Sequence, residues 1–147
     1  MPTNRWLVFD TTIYIAAIRG GLESAAARAL TAGRARTYLS SVVSAELRAG
    51  ATAEIARRAV HELTIWSHRV GRVVTPTAAS WERAGDVLGR MRRREPALRS
   101  KTASLWNDVL IALCARQVGA SVVTENLDDF ELLRRYVRFD LAQLPSR

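Results

Sequence analysis

The sequence predicts an α/β fold in which a mainly parallel β-sheet is flanked by α-helices. Short, continuously apolar runs recur along the chain, and such runs are typical of buried parallel strands. Between them, apolar residues recur every three or four positions, which is the spacing of helices. Strands that alternate with helices form layered α/β domains. The length of 147 residues suits one domain, which we expect to span residues 1–147.

The first predicted strand covers residues 5–9, an apolar run that ends abruptly at Asp10. Residues 25–30 are rich in alanine, which favours a helix. Residues 37–40 (TYLS) form a second short run of β type. These segments begin the alternation of strand and helix.

Two further helices are predicted at residues 42–49 and 53–70. The second is indicated by apolar residues that recur at helical spacing, and these residues are Ile55, Ala59, Leu63, Trp66 and Val70.

The next strand is predicted at residues 72–75. Thr77 is placed to cap a helix that continues through Met91. A strongly apolar helix is predicted at residues 104–117, and Gly119 fits its C-terminal stop.

The last two predicted strands cover residues 121–124 and 136–139. The former is a continuous apolar run that stops at Glu125, and therefore resembles the run before Asp10. The latter (YVRF) is shorter and is interrupted by Arg138.

Composition and charge exclude several classes of protein. Lysine and arginine total 22 against 14 acids, so the net charge of +8 favours a polyanionic partner. The single cysteine, Cys114, excludes an intramolecular disulfide and a cysteine-rich zinc module, and its apolar neighbours predict a buried thiol. The sequence contains neither an apolar run of membrane-spanning length nor a signal-peptide pattern, so we expect a cytosolic protein.

Several familiar catalytic and binding motifs are absent from the sequence. It contains no phosphate-binding P-loop, no dinucleotide-binding glycine pattern and no nucleophile elbow. The only histidines, His61 and His68, would lie two helical turns apart, about 10.5 Å, which is too far for both to bind one ion. We expect them to be structural or surface residues.

The acids at unusual positions are more informative. Asp10 follows a predicted strand directly, and Asp128 and Asp129 follow another closely, so all three would lie at the carboxyl edge of the sheet, where ligands bind in such folds. Glu46, in the helix after residues 37–40, can reach the same edge. Asp108 interrupts an apolar helix, where an unpaired carboxylate is costly. A group of carboxylates without histidine or thiolate suits Mg²⁺ or Mn²⁺.

Simpler interpretations of these acids stay open at this point. An aspartate after a strand is often only the N-cap of the next helix, and a glutamate in a helix often faces solvent. The charge alone would serve a non-catalytic nucleic-acid-binding protein. A phosphatase of the haloacid-dehalogenase type also begins with an apolar strand and an aspartate, but it needs a second aspartate where this chain has Thr12.

Four fragments of the sequence, in order, carry a family resemblance. The chain resembles a PIN-domain ribonuclease, and is most similar to the VapC-type toxins of bacterial toxin–antitoxin pairs. The fragments are LVFDTTIYI (residues 7–15), SSVVSAELRAG (40–50), NDVLIA (107–112) and VVTENLDDF (122–130).

The resemblance implies roles for individual residues. Asp10, Glu46 and Asp108 would be the core metal-binding and catalytic carboxylates. Asp129 would be the fourth catalytic and metal-binding acid, which helps to hold a second ion or the attacking water, with Asp128 second to it. Thr11, Thr124 and Asn126 would be polar support around the ion.

The resemblance also implies an activity and partners. The expected activity is Mg²⁺-dependent hydrolysis of RNA phosphodiester bonds by an endoribonuclease, with Mn²⁺ as a possible substitute. The expected partners are an RNA substrate and a cognate antitoxin protein, and the chain would form a homodimer within a toxin–antitoxin hetero-oligomer.

A basic segment precedes the third fragment. Six cations lie within residues 90–101, opposed only by Glu95. Such a segment is often only a solvated surface, but an acidic nuclease site needs cations to hold the phosphates of its substrate. We therefore expect RNA contacts from Arg92, Arg93, Arg94 and Lys101.

Overall fold

The structure is a computed structural model that describes residues 5–144. Within that range the strands form one sheet, and every pair of neighbouring strands is parallel. The five strands are β1 (Trp6–Phe9), β2 (Thr37–Ser40), β3 (Val73–Val74), β4 (Ala120–Val123) and β5 (Asp140–Ala142). The predicted α/β fold with a mainly parallel sheet is therefore confirmed.

Helices connect the strands, as parallel pairing requires. Two short 3₁₀ segments, Arg34–Arg36 and Pro96–Leu98, also lie between the elements. The α-helices of the described range are α1 (Thr11–Gly20), α2 (Ala25–Gly33), α3 (Ser41–Gly50), α4 (Glu54–Arg69), α5 (Ala78–Arg94), α6 (Arg99–Gln117) and α7 (Leu127–Arg134).

The strand order β3–β2–β1–β4–β5 puts β1 at the centre of the sheet. The chain builds outward from β1 in one direction and then returns to build from its other side with β4. Val8 pairs in register with Val122, and both side chains are fully buried. The reversal of direction between β1 and β4 is a topological switch point, where open α/β sheets bind ligands at the carboxyl ends of the strands.

Local sequence signals set the ends of several helices. Ser24 caps α2 by accepting a hydrogen bond from the Ala27 amide at 3.1 Å, and Thr77 caps α5 in the same way through Ser80. After α6 the chain turns at Gly119, whose φ of +67° favours glycine. The predictions for Thr77 and Gly119 are confirmed.

The strand prediction at residues 136–139 is wrong. That segment is a turn followed by irregular chain, and the strand begins at Asp140. Tyr136, Val137 and Phe139 are nevertheless buried. Their apolar character therefore reflects packing of a loop into the core rather than pairing in the sheet.

The helices differ from prediction in three respects. In α4 the buried residues are Val60, Thr64 and Ser67, while Ile55 is 81% exposed. The apolar residues from which this helix was predicted therefore do not form its buried face. Helix α6 begins at Arg99, five residues before the predicted start. Helices α1 and α7 were not predicted from the sequence.

Cys114 is fully buried, as predicted, with its Sγ 3.8 Å from the carbonyl oxygen of Val74. Within residues 5–144, no helix combines the length and apolar content that crossing a bilayer requires.

Candidate active site

The candidate site lies at the carboxyl ends of β1 and β4. Asp10 follows β1 directly, and its backbone amide donates to the carbonyl oxygen of Val123 at 2.9 Å. Thr124 follows β4 and is 2% exposed. A backbone hydrogen bond therefore joins the first residue after β1 to the last residue of β4.

Asp10 is almost completely buried, and polar neighbours hold both of its carboxylate oxygens. Oδ1 accepts from the Thr11 amide at 2.7 Å, so Asp10 is also the N-cap of α1. Oδ2 accepts from the hydroxyls of Thr12 at 2.9 Å and Thr124 at 2.8 Å. These bonds fix the orientation of a carboxylate that is only 3% exposed.

Glu46 reaches the same place from the second turn of α3. Its Oε1 accepts from the Thr11 hydroxyl at 2.7 Å. Helix α3 begins directly after β2, the neighbour of β1, with Ser40 as its N-cap. Glu46 therefore reaches the site because β2 lies next to β1 in the sheet and because Glu46 lies in the second turn of the helix that follows β2.

Asp108 lies in the middle of α6, among residues that are mostly buried. Its pKa is raised from 3.8 to about 7, first by burial and then by the negative charges of Asp10, Asp129 and Glu46. The charge of Lys101 acts in the opposite direction. Burial and the three neighbouring acids therefore both disfavour the charged form of Asp108.

Asp129 lies in the first turn of α7, and both of its oxygens have partners. Oδ2 accepts from the side-chain amide of Asn126 at 2.9 Å, and Oδ1 forms an ion pair with Lys101 Nζ at 2.5 Å. These contacts lower the pKa of Asp129 although partial burial opposes them, and Asp129 raises the pKa of Lys101. Asp128, by contrast, is exposed.

The donor set can be compared with what a divalent ion needs. Carboxylate oxygens without thiolate or imidazole suit a hard ion such as Mg²⁺. Within the described chain, no three such side chains surround one point closely enough to form a ligand cage. Mg²⁺ typically keeps several waters and uses only one or two carboxylates, so these residues fit it without a cage.

The structure thus brings together Asp10, Glu46, Asp108 and Asp129, and places the three predicted supporting residues in hydrogen bonds with them or with their neighbours. Thr12 is a member that sequence reasoning did not identify. Besides bonding Asp10, its Oγ1 accepts from the Glu125 amide at 3.2 Å. The only indication of this role in the sequence was that Thr12 follows Asp10 and Thr11 directly after the first strand.

Two predicted groups lie outside the acidic cluster. His61 and His68 are exposed on α4, as expected of surface residues. Arg92, Arg93 and Arg94 are exposed in the last turn of α5.

The end of α5 is joined to the chain that follows α7. Arg90 donates to the carbonyl oxygen of Tyr136 at 2.7 Å, and Glu95 accepts from the Tyr136 hydroxyl. Arg135 forms an ion pair with Glu95 at 3.2 Å. The basic end of α5 is therefore held against the segment that leaves α7, the helix of Asp129.

Comparisons with known proteins agree with this architecture. A family model, described as the PIN domain, matches residues 7–136. The fold resembles the crystal structure of DNA-bound VapBC from Salmonella typhimurium, with a TM-score of 0.66, 22% identity, and coverage of 96% of this chain and 99% of that chain. It also resembles VapBC2 from Rickettsia felis bound to a promoter DNA fragment, with a TM-score of 0.58, 21% identity, and coverage of 95% and 98%. At these identities the likeness shows the fold alone. No curated protein is a significant match to the sequence.

Proposed function

The chain belongs to the PIN domain family, whose model matches residues 7–136, and on that basis we propose that it is a Mg²⁺-dependent endoribonuclease. The observation that carries the proposal is the convergence of four carboxylates at the switch point, where burial, and after it the charges of Asp10, Asp129 and Glu46, raise the pKa of Asp108 to about 7. A partly buried group of like charges is the arrangement that a divalent cation stabilises.

Neighbouring threonines orient the carboxylates that would bind the ion. Asp10, Glu46 and Asp108 would hold the ion, directly or through its bound waters, and Asp129 completes the acidic cluster. When bound, such an ion stabilises negative charge on a phosphate and lowers the pKa of a bound water. The three hydrogen bonds to Asp10 fix its carboxylate, and the Thr11 hydroxyl fixes that of Glu46.

The substrate would be held by charge outside the cluster. The net charge of +8 attracts a polyanion, and the exposed arginines at the end of α5 are placed to contact phosphates. Such contacts position the RNA strand but do not select its sequence.

RNA cleavage with purified protein tests this proposal. We expect cleavage with Mg²⁺ or Mn²⁺, none with EDTA, and a loss of about 10²-fold or more for Asp10→Asn and Asp108→Asn. Protein that binds RNA but does not cut it, or variants as active as the wild type, would favour the non-catalytic nucleic-acid-binding alternative.

We also propose that the chain is the toxin of a toxin–antitoxin pair, as the VapBC names of the two similar structures suggest. A groove of about 350 Å³ between α1, α2 and α4 supports a protein partner, because its lining is mainly apolar. The lining includes Tyr14, Ile18, Leu30, Leu63 and Trp66. This apolar groove would receive an apolar segment of the antitoxin.

Expression in growing bacteria tests the toxin role. We expect the wild-type chain to arrest growth and Asp108→Asn to permit it, with equal amounts of both proteins present. Growth that continues with active wild-type enzyme would indicate RNA processing rather than toxicity.

Size-exclusion chromatography with light scattering tests the expected homodimer.

A further inference from the structure

Lys101 is the only lysine in a chain that otherwise takes its positive charge from arginine. It lies near the start of α6, seven residues before Asp108. Seven residues are about two helical turns, so Lys101 and Asp108 share one face of the helix. The long lysine side chain thus extends from the helix that carries the central acid of the cluster.

The lysine ammonium makes its contact with one acid of the four. Lys101 Nζ is 2.5 Å from Asp129 Oδ1, and the other oxygen of Asp129 is taken by Asn126. The Asp129 side chain is only 18% exposed, so this pair is partly shielded from water. None of the ion pairs found within residues 5–144 involves the other three acids of the cluster.

We propose that the Lys101 ammonium takes the place of a second divalent cation, so that the cluster binds a single ion through Asp10, Glu46 and Asp108. This inference rests on the function proposed above. In two-ion hydrolases the ions lie about 3.5–4 Å apart, and both stabilise the reacting phosphate. Here Asp129 is already paired with the Lys101 ammonium, whose positive charge would repel a second dication. Lys101 is thus a charge-balancing residue rather than a metal ligand.

Counting Mn²⁺ bound to the full chain tests the inference without reference to activity. Equilibrium dialysis and electron paramagnetic resonance should find about one ion per wild-type chain and about two per Lys101→Gln chain, because the second position loses its ammonium and keeps Asp129. Lys101→Arg should keep about one ion, since it keeps the charge.

Matched controls separate this effect from a general change in charge. Arg99→Gln removes an exposed cation from the same turn of α6 and should leave the ion count unchanged. The double variant Lys101→Gln/Asp129→Asn removes both members of the pair. It should bind one ion with an affinity within about threefold of wild type, because in our proposal Asp129 does not hold that ion.

Three outcomes would overturn the inference: two ions on the wild-type chain, an unchanged ion count in folded Lys101→Gln, or a large loss of affinity in the double variant. The double variant keeps the test decisive if Lys101→Gln does not fold. The function itself fails separately, if the wild-type chain binds no divalent ion and EDTA leaves cleavage intact.

Discussion

The carboxyl group of Asp108 makes the ion-free fold sensitive to pH. Its pKa is about 7 in the folded chain and near 3.8 in the unfolded chain, so between these values the folded chain binds more protons. Stability contributed by the protonated carboxyl is therefore lost as the pH rises from about 4 to about 7. Above pH 7 a buried charge among like charges remains.

Asp108→Asn should remove that cost. We expect its free energy of unfolding in EDTA to exceed that of wild type by about 1–3 kcal/mol at pH 8, and by less at pH 5. Urea unfolding at the two pH values measures the difference. If the difference in unfolding free energy between the two proteins were the same at pH 5 and pH 8, it would contradict the raised pKa of Asp108. The same variant should be inactive, so stability and activity change in opposite directions.

Thr124 acts on the site through Asp10. Thr124→Val keeps the shape of the side chain but leaves Asp10 Oδ2 with one donor fewer. We expect a loss of about 1–3 kcal/mol in stability and a reduced rate of RNA cleavage. Thr64→Val is the control, because Thr64 is also buried but donates only to a carbonyl oxygen within α4. Equal activity in the two variants would show that Thr124 does not position Asp10.

Among the elements, the strands at the switch point were the most predictable. β4 is buried throughout and β1 is buried at its carboxyl end, so their sequences, WLVF and ASVV, are mostly apolar and stop where the chain leaves the sheet. Asp10, Glu46 and Asp108 were identified because each departs from small or apolar neighbours, and Asp129 because it closely follows a predicted strand and precedes Phe130. Motif order then indicated that they belong together.

Other features depend on tertiary packing that no local pattern reveals. Residues 136–139 are apolar because a loop fills the core, and α4 buries Thr64 and Ser67 while Ile55 faces outward. Thr64 can be buried because its hydroxyl bonds the carbonyl oxygen of Val60 in its own helix. The contact between Lys101 and Asp129 joins α6 to α7, and sequence reasoning placed that lysine with the RNA-binding arginines instead.

The last turn of α5 gives a prediction at the scale of one element. Replacing Arg92, Arg93 and Arg94 by glutamine should weaken RNA binding and reduce the slope of log K against log salt by up to about two units, since each lost phosphate contact contributes about 0.7 on single strands. Fluorescence anisotropy with an inactive variant and labelled RNA measures this.

A control with the same loss of charge is available elsewhere on the surface. Arg28, Arg58 and Arg69 are exposed on α2 and α4, so their joint replacement lowers the net charge equally. If both triple variants change the slope by the same amount, the arginines of α5 attract RNA only through total charge.

At the scale of the whole molecule, the apolar groove lies beside the acidic cluster, and Ile18 lines both the groove and a neighbouring pocket that includes Glu46. Ala59→Glu places a charge in the groove at an exposed position of α4 that does not line the pocket of Glu46, so the fold should tolerate it. We expect it to leave RNA cleavage intact and to prevent neutralisation by an antitoxin encoded in a neighbouring reading frame.

Ile55→Glu is the matched control, because Ile55 is 81% exposed and does not line the groove. Growth rescue on co-expression of the two proteins measures the difference. Rescue of both variants would exclude the apolar groove as the binding surface.

The hydrogen bond between Asp10 and Thr124 spans 114 positions of the chain, and this separation bears on protein synthesis. A growing polypeptide exposes Asp10 well before β4 and α7, because 114 positions separate Asp10 from Thr124. Until β4 pairs with β1, the carboxylate of Asp10 lacks its Thr124 partner, and Asp129 is absent altogether. A nascent chain should therefore be unable to cut the messenger from which it is read, and truncated translation products should be inert as nucleases.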